Sequence, residues 1–148
     1  IRGNSAAAET IENNIRSRII KDHLLDPTYF DNMSELLDEL IKQRKDSVIE
    51  YEEYLQKIAD LAVHVSEGKS DDTPDSLDTK AKVALFNNLD GDESLALEID
   101  SIVIQVRSDD WRGNQAKENQ IKKAIFKLLD DQDKVESIFK VIRQQDEY

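Results

Sequence analysis

Basic side chains are concentrated at one place in a chain that is otherwise acidic. The stretch SDDWRGNQAKENQIKKAI, Ser108 to Ile125, contains the sole tryptophan in a sequence of formal net charge −12. From Arg107 to Lys127 there are six basic residues (Arg107, Arg112, Lys117, Lys122, Lys123, Lys127) against three acidic ones, a balance of +3. Between Asp71 and Asp100, two lysines face nine carboxylates, a balance of −7. On a helix running from Trp111, positions 112, 116, 119, 123 and 127 share one side, while 121, 125, 128 and 129 face inward. Arg112, Lys123 and Lys127 then form a row with Lys122 near its edge, and with Lys117 they make a strip that can touch phosphates without reading base sequence. The competing reading is a solvated helix face, with Trp111 as a plug that anchors the helix start to a core.

Other chemistry is sparse. His23 and His64 have no second ligand at metal-binding spacing on their own helices, and solvated or helix-end histidine describes both. LDGDESLALEID approaches a calcium loop, but its glycine stands at the wrong position, and a helix end followed by a cap accounts for DGDE. The chain has no phosphate-cradling glycine loop, no GxSxG and no DExx box. These observations predict no catalytic site, metal or cofactor in this chain. Tyr29, Tyr51 and Tyr54 cannot all lie on one inner stripe, so Tyr54 and the nearby Arg44 are candidates for a partner-binding surface, with core packing as the alternative.

The elements that position these residues are read from apolar spacing. Ile11, Ile15 and Ile19 mark a first helix ending near His23, after a flexible lead-in over residues 1–8. Asp26 and Pro27 start a second helix burying Phe30, Met33, Leu37, Leu40 and Ile41. Ser47 and Glu50 have capping-box spacing ahead of a third helix with Tyr51, Leu55, Ile58, Ala62 and Val65 inward. Residues 66–78 read as an exposed acidic loop. Ala81, Leu85 and Leu89 mark a helix closed by Gly91. ESLALEIDSIVIQV fits both periods but reads as helix, because a lone strand would have no partner. Ile121, Ile125, Leu128 and Leu129 give a sixth helix. Asp133 and Glu136 open a last one through Val135, Ile138, Phe139 and Ile142. The expected fold is all-α, a compact bundle of about seven helices with its own hydrophobic core, forming one domain over residues 9–148.

Composition is consistent with that. At 148 residues, 39% hydrophobic and 35% charged, the chain can build a core and is not of disordered composition. With no cysteine, disulfides and thiolate sites are excluded. No apolar run approaches the ~20 residues of a membrane span, so a cytoplasmic location is expected. The first residue is Ile and the opening run is loose, which reads as a piece of a longer protein.

Several segments in order carry a family resemblance: IIKD, DPTYF, NMSELLDELI, RKD and YEEYL between Asn13 and Ala62, then KVALFNNL, Lys82 to Leu89, then DWRGNQAKENQIKKAIFKLL. This chain resembles the C-terminal helical region of the motor subunit of type I restriction-modification enzymes, of the type IC kind. Phe30 stands where that family commonly has tyrosine, and residues 66–78 have no counterpart. The resemblance implies a non-catalytic domain that supports assembly with the methyltransferase core of modification and specificity subunits, and helps hold double-stranded DNA weakly and non-specifically beside the motor. Nuclease and ATPase sites, with ATP and Mg, would belong to the parent subunit. The DNA-facing candidates are Arg112, Lys117, Lys122, Lys123 and Lys127. Without the resemblance, the carboxylates of residues 71–100 suggest an acidic adaptor for a basic partner.

Overall fold

The computed structural model describes residues 2–148, and every regular element among them is helical. The helices are α1 (Arg2–Asp22), α2 (Pro27–Lys45), α3 (Tyr51–Glu67), α4 (Lys80–Asn88), α5 (Glu93–Val106), α6 (Gln115–Leu129) and α7 (Gln132–Gln144), with a 3-10 turn at His23–Leu25. None is long and apolar enough to cross a membrane. The all-α expectation is met, and the two-period segment 93–106 is the helix α5. Its period is decided by what it buries: Ala96, Ile99 and Val103 lie inside, three and four residues apart as one helical face requires.

The described residues group into two compact units. Residues 2–23 and 28–71 form one, and residues 24–27 and 72–148 form another. Each has its own hydrophobic cluster and no residue belongs to both. In the first unit α1 packs along α3, and α2 contributes Tyr29, Phe30, Met33 and Leu37 to a cluster with Ile15, Ile19, Tyr54, Ile58, Leu61 and Val65. In the second, α4, α5, α6 and α7 each pack on the next, and α7 returns to α4. That closed ring encloses Leu85, Ile99, Val103, Ile121, Ile125, Ile138 and Ile142.

Several boundaries move from their expected places, each for a local reason. Residues 2–8, expected as a lead-in, form the first turns of α1; Ile1 lies outside the described residues. Alanine is the strongest helix former, and Ala8, wholly buried, extends the Ile15 and Ile19 stripe by another two turns. Ser47 does not cap α3. It adopts φ 57 and closes α2 instead: Val48 N donates to Gln43 O at 2.9 Å and Ser47 N to Arg44 O at 3.1 Å, the paired bonds of a Schellman ending. On α3, Ile58 and Val65 are buried as expected, joined by Tyr54 and Leu61, while Tyr51, Leu55 and Ala62 lie at the edge of the stripe. The last helix starts early, because Asp131 Oδ1 accepts from the amides of Asp133 and Lys134 at 2.9 and 3.2 Å. Gly91 closes α4 as expected, at φ 75. The acidic loop is exposed along most of its length, but Leu77 is drawn inside.

Candidate nucleic-acid and partner interface

The DWRGN segment is a turn rather than the start of the helix. Asp110 and Gly113 both take positive φ, and α6 begins only after Asn114, whose side chain accepts from Lys117 N at 3.2 Å. Glu118 reaches back to the Gly113 amide at 2.8 Å, so both ends of this turn are satisfied. Arg112 therefore does not belong to the helical row formed by positions 119, 123 and 127.

Trp111 is buried. Its ring stands edge-on to Phe139 with centroids 5.8 Å apart, and its indole nitrogen donates to Tyr148 O at 3.1 Å. The Arg112 guanidinium lies 4.5 Å from the Trp111 ring centre and donates to Arg143 O at 3.0 Å and to Gln145 O. The two residues hold down the segment that follows α7. Other groups complete the hold. Arg107 donates to Glu147 O at 2.7 Å, Gln145 Nε2 donates to Leu25 O at 2.7 Å, and Glu147 Oε2 accepts from Ala81 N at 2.9 Å. Tyr148 donates its hydroxyl to Asp100, a carboxylate that is itself buried. Burial, and next the Asp100 hydrogen bond, push the Tyr148 phenol well above its ordinary range. Sequence reasoning missed this clasp. Its signal was Tyr148, an aromatic beyond the last amphipathic helix with no apolar neighbour nearby in the chain.

The five candidate DNA contacts fall into two groups. Arg112 is occupied as described, and Lys117 donates to Asp109 O at 2.5 Å. Lys122 lies 3.2 Å from Glu136 Oε2 and 4.9 Å from the centre of the Phe139 ring. Lys123 and Lys127, one turn apart on α6, are exposed, and neither makes an ion pair with any described residue. What remains available for a phosphate is a pair, not a row of five.

The proposed partner-binding residues turn inward. Tyr54 is wholly buried and donates to Glu12, which also lies 3.5 Å from Arg44. Arg44 sits over the rings of Tyr51 and Tyr54 at 5.6 and 5.3 Å. Burial, followed by the Glu12 hydrogen bond, raises the Tyr54 phenol well above its ordinary value. This is an internal polar network within the three-helix unit, so Tyr54 cannot serve as an exposed contact; the surplus tyrosine is accommodated by Tyr51 lying at the edge of the α3 stripe while Tyr54 goes inside. Tyr29 is likewise buried, donating to His64 O at 2.7 Å. Each histidine faces one aspartate, His23 with Asp31 at 2.8 Å and His64 with Asp71 at 3.4 Å.

Two segments far apart in sequence meet at Asp26. This buried carboxylate accepts from Asn87 at 2.9 Å and from Asn88 at 2.7 Å. A carboxylate withdrawn from water needs such donors. No protein-family model, curated protein or solved structure matches this chain.

Proposed function

We propose that this chain is a non-catalytic helical domain of the motor subunit of a type I restriction enzyme. In this reading it supports docking of that subunit onto the modification and specificity subunits, and contributes a weak, non-specific contact to double-stranded DNA during ATP-dependent translocation. The observation that carries it is the meeting at Asp26. DPTYF and KVALFNNL are separate segments of the family resemblance, and Asp26 of the first takes its hydrogen bonds from Asn87 and Asn88 of the second. DWRGN behaves similarly, with its tryptophan inside and its asparagine as a helix cap. The resembling residues are thus mainly those that specify the fold. ATP, Mg and the nuclease centre belong to other parts of such a subunit, and the protein would work in the cytoplasm with its DNA.

Assembly is the main role and DNA contact the lesser one, since of the five candidate cations only Lys123 and Lys127 are free of an internal partner. The test is a motor subunit lacking this region, mixed with modification and specificity subunits and sized by native mass spectrometry. Loss of the assembled complex, with ATP hydrolysis by the motor lobes retained, is the expected result. Normal assembly without the region would overturn the reading.

A second reading, an acidic adaptor without DNA contact, is favoured by one observation. Three of the five candidate basic side chains are already engaged within the fold. Strong salt-dependent binding of duplex DNA by the chain alone would decide against it.

A further inference from the structure

At one end of the four-helix unit, the α4–α5 and α6–α7 turns border a cavity of about 520 Å³. Its floor is apolar, made by Leu89, Leu95, Leu129 and Ile138. Leu89 and Ile138 belong to the buried core, whereas Leu95 and Leu129 are only partly covered. The rim is acidic: Asp90, Asp92 and Asp133, with Lys134 the one cationic lining residue. The three aspartates are exposed, and none forms an ion pair with a described residue. Backbone geometry keeps the first two at the mouth. Asp90 takes φ 57 in the turn, and Asp92 is fixed as the α5 cap by accepting from Leu95 N at 3.0 Å.

Partly covered leucine beside carboxylates that lack an ion-pair partner is complementary to a side chain with an apolar stem and a cationic head. The volume falls within the ~300–1,000 Å³ usual for a binding cavity, and the carboxylates repel phosphate. The geometry points to this cavity as a docking site for a basic segment of a partner protein, one presenting arginine or lysine beside an apolar residue. The site rests on the second unit alone and does not depend on the restriction-enzyme reading.

The test uses the whole chain and a fluorescent peptide of alternating arginine and leucine at physiological salt. Two triple variants are compared. One is Asp90→Asn, Asp92→Asn, Asp133→Asn, where asparagine preserves both the helix cap and the left-handed turn. The other removes equal charge from exposed sites elsewhere in the same unit, at Asp72→Asn, Asp75→Asn, Glu98→Gln. The rim variant is expected to weaken binding about tenfold and the control about twofold at most. In the unaltered chain, the methyl resonances of Leu95 and Leu129 are expected to shift on titration. Equal weakening by both variants, unmoved methyl resonances, or no binding by the unaltered chain would overturn the assignment.

Discussion

The indole nitrogen of Trp111 donates to the backbone oxygen of Tyr148 across 3.1 Å, so the only tryptophan of the chain acts on the segment beyond the last helix. Around that bond, Arg107 and Arg112 donate to further carbonyls at the end of α7 and beyond it. Trp111→Phe keeps an aromatic ring but leaves a buried acceptor without its donor. That is expected to cost about 1–3 kcal/mol, read as a lower midpoint in urea unfolding. A variant within about 0.5 kcal/mol of the parent would mean the bond is not a structural tie.

Arg112 and the Lys123/Lys127 pair are expected to respond in opposite ways. Arg112→Glu should lower stability, because its guanidinium satisfies carbonyls and covers the Trp111 ring, with little effect on the salt dependence of DNA binding. Lys123→Glu with Lys127→Glu should leave stability near that of the parent. In the assembled motor subunit the double variant should reduce the slope of log affinity on log salt by about 1.8, as for two lost phosphate contacts. An unchanged slope in a normally assembled complex would remove DNA contact from α6.

Asp26→Ala should be among the most damaging single changes. It strips the acceptor from the two amides of Asn87 and Asn88, and hydrogen bonds to a charged group contribute about 1.5–3 kcal/mol each. Thermal unfolding of the variant, alone and combined with Asn87→Ala and Asn88→Ala, measures the coupling. Additive losses would show that these side chains do not act on one another.

Alkaline pH should loosen both units. The Tyr54 and Tyr148 phenols are raised above the ordinary value of 10.0, so above that pH the unfolded chain releases protons that the folded chain retains. Stability contributed by neutral tyrosine is therefore complete below about pH 10 and declines as pH rises further. Tyrosinate absorbance should appear together with unfolding for these two residues. The double change Tyr54→Phe, Tyr148→Phe should flatten the decline, and an equally steep decline in that variant would contradict the assignment.

Ser47→Gly should stabilise. Ser47 holds φ 57 at the end of α2, a conformation that costs an L-residue roughly 1 kcal/mol and glycine almost nothing. A rise of about 0.5–1 kcal/mol in unfolding free energy is expected. A fall would mean that the serine side chain contributes to the turn.

Much of the fold is legible in the residues themselves because it depends on local spacing. The Ile15 and Ile19 stripe, Leu85 and Leu89 closed by Gly91, and Val135, Ile138, Phe139 and Ile142 determine helices and their inner faces, since helix period and cap chemistry are properties of neighbouring residues. What no local pattern contains is which distant group satisfies a given polar atom. Ser47 could cap one helix or close another, and Tyr54 could face solvent or core. Trp111, Asp26 and Asn88 find their partners more than thirty positions away, and the buried side chains gather in two separate clusters. Helices, charge segregation and the basic stretch are all written in the order of residues. That Arg112, Lys117 and Lys122 are used internally while Lys123 and Lys127 remain open comes from the folded chain, because a cation's availability depends on which carbonyl, carboxylate or ring the fold brings within reach.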